Sequence, residues 1–472
     1  MYENNHEVVE TIEVIEKKVD LVVDSINELV AQKKFGEIKK QINELEPFDI
    51  AEVFEELNPA DLPIVFRLLS KDNAADTFVE MSSDYQETLI NAFSDAELKA
   101  VFDDMFVDDT VDVIEEMPAS VVKRIINQTD LETRQRINEI LQYPEDSAGT
   151  IMTVEYVSLK KEWTIAQCLE YIRKIAVDKE TIYTSYVTDA QRRLEGVVSA
   201  KDLLIASPST TVGSIMTTDF ICVTTDTDKE KVATTASDYD LASIPVVDKE
   251  NRIVGIITID DIIDVIHEEA TEDFAKMAAV LPTDQPYLEQ SVWSIVKSRL
   301  PWLLLLMISA TFTGLIINSF EHQLSLISTV LFACVPMLMG TGGNAGSQVC
   351  VTITRALALD EVEFKDILTI IWKELRVSIL LALTLAVSCF AKLQLIDRLL
   401  FGYEGYTFAI SAIVSLALFI TILVAKIVGC TLPLLAKKCK LDPAVVANPF
   451  ITTIVDALSL LTYCGVAVAL LG

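Results

Sequence analysis

Apolar positions along the chain fall into three successive patterns. From residue 46 to about 129 they recur with a period of twelve, and EPFDIAEVFEEL, NPADLPIVFRLL, SKDNAADTFVEM, SSDYQETLINAF, SDAELKAVFDDM and FVDDTVDVIEEM align end to end. Val53, Phe54 and Leu57 in one unit match Val65, Phe66 and Leu69 in the next, at one- and four-residue spacing. Each unit is expected to be one short helix of about two to three turns, stacked on its neighbours in a solenoid-like array. Asn58, Ser70, Ser82 and Ser94 hold equivalent places and are expected N-caps, since a short oxygen side chain accepts from the orphan amides of a first turn. Residues 1–45, with Val and Ile among Glu and Lys, read as an amphipathic helical extension, loosely attached.

The second pattern is a tandem duplication. GTIMTVEYVSL (149–159) matches GSIMTTDFICV (213–223), and LEGVVSAKDLL (194–204) matches IVGIITIDDII (253–263). Between the matched lines lie predicted helices over 165–175 and 229–237 and short strands over 182–187 and 243–247. The order is strand–helix–strand–strand–helix, twice. It resembles a pair of CBS domains, carried by Gly196…Ser199…Asp202 and Gly255…Thr258…Asp261 at strand-to-helix turns. CBS pairs commonly bind adenine nucleotides, so the resemblance implies ATP as a ligand, with Asp202 the better ribose contact. A purely structural pair is the alternative.

DDIIDVIHEEATEDFAKM (260–277) then reads as one continuous helix running toward the third pattern. Asp261 and Asp264 share one of its faces, as do Glu269, Glu272 and Asp273. Carboxylates so spaced repel unless neutralised, and a hard divalent cation with oxygen ligands does this well; a plain solvated helix is the alternative. The third pattern is five apolar spans, 293–317, 324–354, 379–395, 407–435 and 444–470, each near the ~20 residues that cross a bilayer. Basic residues cluster after the second and fourth spans, which places the soluble part in the cytoplasm and the C-terminus outside, with five crossings of the plasma membrane. An odd number of helices makes a poor pathway by itself, so a homodimer is expected.

Charge sharpens the division. Residues 1–290 hold 26 basic against 60 acidic residues, and residues 291–472 hold 12 against 10. A surface so acidic repels nucleic acid and suits cations. Three His and scattered Cys without a CxxC argue against a transition-metal cage or a disulfide frame. No nucleophile–base set, Walker loop or GxGxxG points to an enzyme. Inside the spans, PMLMGTGGNAGSQ (336–348) is expected to break or thin its helix, or to allow close packing. Asn448-Pro449 interrupts the last span. Asp456 follows about twelve residues, or roughly 18 Å, from a start near Ala444, and is the one acid placed deep in any span, with Lys426 its one partner in prospect. Asp108, Asp109 and Asp112 stand out in the helical array, 108 and 112 one turn apart on a face that is either an ordinary solvated one or half of a cation site completed by another domain.

An acidic helical array, a CBS pair, an acidic connecting helix and five spans carrying GTGGNAGSQ and ANPFITTIVDA together resemble the MgtE family of magnesium channels. The implied architecture is a multidomain membrane protein: extension 1–45, all-α N domain 46–143, α/β CBS domains 144–208 and 209–267, connecting (plug) helix 268–290 and an all-α transmembrane domain 291–472. The resemblance implies a homodimeric Mg²⁺ channel with its pore on the two-fold axis, lined by Gly343, Asn344 and Asn448, with Asp456 as the selectivity carboxylate. It also implies regulatory Mg²⁺ sites at Asp108, Asp112, Asp240, Asp261, Asp264, Glu269, Glu272 and Asp273. Two other readings stand beside it: a divalent transporter preferring Mn²⁺, Co²⁺ or Ca²⁺, and a membrane-anchored Mg²⁺ or nucleotide sensor that conducts nothing.

Overall fold

The structure is a computed structural model that describes residues 22–283, 287–288, 290–359, 361–446 and 449–471. The chain divides into two compact units, Met1–Ile266 and His267–Gly472.

In the first unit the period of twelve becomes one helix for each of the six aligned repeats, and two more helices follow them. These are α2 (Pro47–Glu55), α3 (Leu62–Phe66), α4 (Lys71–Val79), α5 (Ser83–Ala92), α6 (Asp95–Phe102), α7 (Val107–Glu116), α8 (Ala119–Gln128) and α9 (Leu131–Ile140), preceded by α1 (Phe35–Ile42). Phe54, Phe66, Phe78 and Phe102 hold the same place in their repeats, so stacking the helices stacks the rings. Successive centroids lie 6.0, 6.3 and 5.8 Å apart, in the tilted and edge-on arrangements that aromatic quadrupoles favour. Ser94 forms a full capping box with Glu97, and Ser70 accepts from the Asn73 amide. Ser82 stands at an N-cap but makes no cap bond, and Asn58 bonds the Ala60 amide in the turn before α3 instead. The reason at α3 is Pro63, which has no N–H to cap and fixes the start of a five-residue helix at Leu62.

The extension is not loosely attached over the described residues 22–45. Ile26, Ile38 and Ile42 are fully buried in the same core as Phe54 and Phe78. Their apolar face covers the open end of the array, as a terminal repeat must.

The duplicated segment forms two three-stranded sheets of identical topology. In the first, β1 (Val157–Lys160) runs parallel to β2 (Thr184–Thr188), which is antiparallel to β3 (Leu194–Ser199). In the second, β4 (Val223–Thr224), β5 (Ser243–Val247) and β6 (Ile253–Thr258) repeat the order. The helices are α10 (Ile165–Ile175), α11 (Ala200–Ile205) and α12 (Lys229–Asp238). Each IMT segment pairs with the other half: Thr153 exchanges backbone hydrogen bonds with Ile256, and Thr217 with Val197. This explains the motif glycines. A Cβ at Gly255 would stand 2.7 Å from the Thr153 carbonyl oxygen, and one at Gly196 2.9 Å from that of Thr217. Both are too close, so glycine is required by the pairing of the halves.

The acidic helix α13 (Ile259–Met277) is continuous, starting in the first unit and ending in the second. The second unit continues with α14 (Val292–Ile327), α15 (Val330–Ala358), α16 (Ile367–Lys392), α17 (Phe408–Lys438), the short α18 (Pro443–Val446) and α19 (Pro449–Leu471). Among the described residues, four stretches are long and apolar enough to cross a membrane: Val292–Leu324, Phe364–Leu400, Phe408–Lys438 and Pro449–Leu471. Their outer faces expose Leu303, Met307, Phe312, Leu380 and Val387, a surface suited to lipid.

The Gly-rich α15 is an unbroken helix of 29 residues, so its glycines do not interrupt it. They let neighbours approach. A Cβ at Gly346 would meet Val455 at 2.9 Å, one at Gly429 would meet the Gly346 carbonyl at 2.5 Å, and one at Gly342 would clash with Ser459. Backbones packed this closely gain dispersion contacts that larger side chains would prevent.

The phenylalanine stack predicts a stability effect. Phe78 is fully buried between Phe66 and Phe102. Phe78→Ala is expected to destabilise the helical array by about 3–5 kcal/mol, read as a lowered urea midpoint with little change in slope.

Candidate functional site

Two regions carry the chemistry, one in each unit. The first gathers carboxylates from α7, from the segment between α10 and β2, and from the start of α13. Asp108 is buried, with its Oδ1 lacking a hydrogen-bond partner, while Asp112, one turn on, is exposed. The face is solvated at Asp112 but not at Asp108: the acid joining Asp108 is its neighbour Asp109, and the two face Asp261 and Glu180. Burial, then Asp109, Asp261 and Glu180, push the Asp108 carboxyl well above its ordinary range. Burial, then Asp261 and Asp76, push Asp109 up to about 7. Glu180 is raised to about 7 by burial and then by Asp260, Asp109 and Asp261. Asp261 is raised to about 6, chiefly by burial and against hydrogen bonds from Thr258. Asp264 is exposed and raises Glu80 electrostatically, after burial.

These groups are oxygen donors only, the set a hard divalent cation prefers. Among the described residues no three metal-ligand side chains are yet close enough to hold one ion. Asp109 adjoins Asp108 in the sequence, within the same repeat as Asp112. Glu180 and Asp76 carried no periodic signal, and only folding brings them to α7. Asp240 is exposed in the turn after α12, at φ 51°, and is not among the groups perturbing this cluster. At the CBS turn, Ser199 caps α11 and donates to Asp202 Oδ2 at 2.6 Å, which leaves Oδ1 without a partner among the described residues.

The second region lies on α15, α17 and α19. Asp456 is the eighth residue of α19, because the helix starts at Pro449 and not near Ala444. It is therefore about 10 Å along this helix at 1.5 Å per residue, not the roughly 18 Å expected from an unbroken span. It is half-buried and has neither hydrogen bond nor ion pair among the described residues. Its Oδ1 lies over Gly343, 3.1 Å from where a Cβ would be. Gly343 is buried beneath it, whereas Asn344 is exposed, in line with Gly340, Gln348 and Thr352 at four-residue spacing. Asn448 lies outside the described residues.

Lys426 does not serve Asp456. Its buried ammonium lies 3.6 Å from Glu374 Oε2 on α16. Glu374 is thus a second acid within a span, missed because α16 begins at Ile367, twelve residues before the apolar stretch is apparent. At the end of α13, Glu272 accepts from Lys276 at 2.8 Å, and Lys276 also reaches Asp442 at 2.7 Å. Asp273 is half-buried beside them and is raised by burial, then by Asp442.

Comparison with known proteins matches residues 335–466 to the MgtE divalent cation transporter family model, 45–146 to the MgtE intracellular N domain, and 148–209 and 212–268 to CBS domains. The chain is 35% identical over 451 residues to the magnesium transporter MgtE of Thermus thermophilus, covering 95% of this chain and 98% of that one. It is 31% identical to the magnesium transporter MgtE of Bacillus subtilis, covering 93% and 95%. It is also similar to a solved structure of the soluble part of a magnesium transporter, with a TM-score of 0.50, 28% identity, and coverage of 54% of this chain and 99% of that one.

The raised carboxyls predict a pH dependence. A carboxyl raised in the folded state stabilises it fully below the ordinary range near 4, and that contribution is lost as pH climbs through about 6 to 7. In divalent-free buffer the thermal midpoint of the soluble unit should be several degrees higher at pH 5.5 than at pH 8. Millimolar Mg²⁺ should raise it at pH 8 far more than at pH 5.5, and Asp109→Asn should flatten both responses.

Proposed function

The chain belongs to the MgtE family of divalent cation transporters, and on that premise we propose that it is a homodimeric Mg²⁺ channel of the plasma membrane, mediating uptake and closed by cytosolic Mg²⁺. The observation that carries this reading is Asp456. An intramembrane carboxylate is costly and is kept where it faces water or an ion. Lys426, which would have neutralised it, is engaged with Glu374. The line of Gly340, Asn344, Gln348 and Thr352 on α15 is exposed in a single chain, and polar groups of this kind do not face lipid.

In a homodimer with these faces on the axis, two Asp456 carboxylates flank one water-lined path. They hold Mg²⁺ through its own waters, which avoids the dehydration that Mg²⁺ resists. Gly343 sits where any side chain would press on the Asp456 carboxylate, and Asn344 and Asn448 line the path. Five crossings, α15 among them, put the N-terminal domains in the cytoplasm and the C-terminus outside.

Gating follows from the facing carboxylates. At low cytosolic Mg²⁺, Asp108, Asp109, Glu180 and Asp261 repel one another or hold protons. Mg²⁺ replaces those protons and draws α7 and the head of α13 together, with Asp112, Asp240, Asp264, Glu269, Glu272 and Asp273 as further regulatory ligands. Several weak sites acting on one two-state element give a steep response. The CBS pair takes ATP through Asp202. Its open Oδ1 suits a ribose hydroxyl, and the Ser199 hydroxyl, held at 2.6 Å, fixes its direction.

Liposome Mg²⁺ flux measured across internal Mg²⁺ tests the proposal. Wild type should conduct at low internal Mg²⁺ and close as it rises. Asp456→Ala should lose at least about tenfold of the flux while keeping its Mg²⁺-dependent thermal shift. Unchanged flux in Asp456→Ala would favour the non-conducting sensor, and stronger competition by Mn²⁺, Co²⁺ or Ca²⁺ than by Mg²⁺ would reassign the cargo.

A further inference from the structure

Lys276 is the cation at the end of α13, among Glu272, Asp273 and Asp442. Its ammonium lies 2.8 Å from Glu272 Oε1, one turn back on the same helix, and 2.7 Å from Asp442 Oδ2, in the link between α17 and α18. The other Asp442 oxygen accepts from the Ala444 amide at 2.8 Å, so the same carboxylate orients the start of α18, which leads to α19 and Asp456. Met277 is only partly buried against the helical core, the chain turns at Ala279 with φ 53°, and the Leu281 amide bonds the Ser298 carbonyl at 3.0 Å. The Lys276 and Asp442 side chains are 25% and 35% exposed. That shielding strengthens the pair relative to a fully solvated one.

We propose that Lys276 is a positioning residue for gating: its ammonium ties the end of the connecting helix to Asp442, and so to the link that carries the pore helix. The proposal rests on the channel reading above. The cation of this tie belongs to the chain, so the tie forms without Mg²⁺. It keeps the end of α13 docked while the acidic head of the same helix responds to Mg²⁺. A helix fixed at one end and pulled at the other transmits the pull. With the tie gone, Mg²⁺ bound at the head moves a helix that no longer bears on α19.

A double-mutant cycle in the full-length reconstituted protein tests this. Lys276→Met removes the cation, and Asp442→Asn removes the charge while keeping an oxygen for the Ala444 amide. Each single variant should raise the internal Mg²⁺ needed for half-closure by about threefold or more, and the double variant should shift it no further than either single. Shifts that multiply in the double variant, or curves that superpose on wild type, would overturn the proposal. Hydrogen exchange of residues 268–277 in metal-free buffer reads the tie without reference to conduction. Exchange should be faster in both single variants and no faster in the double. Unchanged exchange in the single variants refutes the tie itself, and faster exchange with an unshifted closure curve refutes its part in gating. Absence of flux in wild type instead refutes the channel reading, with exchange still deciding whether the tie exists.

Discussion

Uncompensated negative charge governs this molecule. With 70 acidic against 38 basic residues, many carboxylates lack a protein counter-charge, and the fold concentrates rather than disperses them. Asp108, Asp109, Glu180 and Asp261 are drawn together and partly desolvated, which lifts each toward neutrality. Desolvation disfavours the charged form and nearby like charges add to it. Such an arrangement favours whatever neutralises the carboxylates.

In the second unit several basic residues are already committed to acids. Lys426 lies against Glu374, Lys276 joins Glu272 to Asp442, and Lys392 lies against Asp397. Among the described residues, Asp456 is left without a counter-charge by this allocation. Close packing makes room for it. Gly342 and Gly346 bring α15 against α19, and Gly343 leaves the space into which the carboxylate extends. Small residues and the unpaired acid are two parts of one arrangement, since a side chain at residue 343 would press on the group that the packing exposes.

The two units share a logic and differ in which charge does the bridging. Around α7 the groups that most perturb Asp108, Asp109 and Glu180, after burial, are other carboxylates. At the end of α13 a lysine supplies the positive charge covalently. A single helix of 19 residues thus carries an acid facing other acids near one end and an ion-paired lysine at the other.

Much of this was legible in the sequence, because local periodicity and local chemistry are written there. The twelve-residue repeat set one helix per unit, and the duplicated motif set two equivalent sheets, since hydrophobic spacing and turn residues act within a few residues of themselves. The continuous acidic helix and the apolar stretches were legible for the same reason. Tertiary structure alone decided what met what. It buried Asp108 and left Asp112 exposed, brought Glu180 to Asp109, gave Lys426 to Glu374, and kept α15 whole by packing its glycines against α17 and α19. It also started the last helix at Pro449 and paired Lys276 with an aspartate 166 positions later. Charge pairing and helix packing depend on distances in space, and no spacing along a chain encodes those.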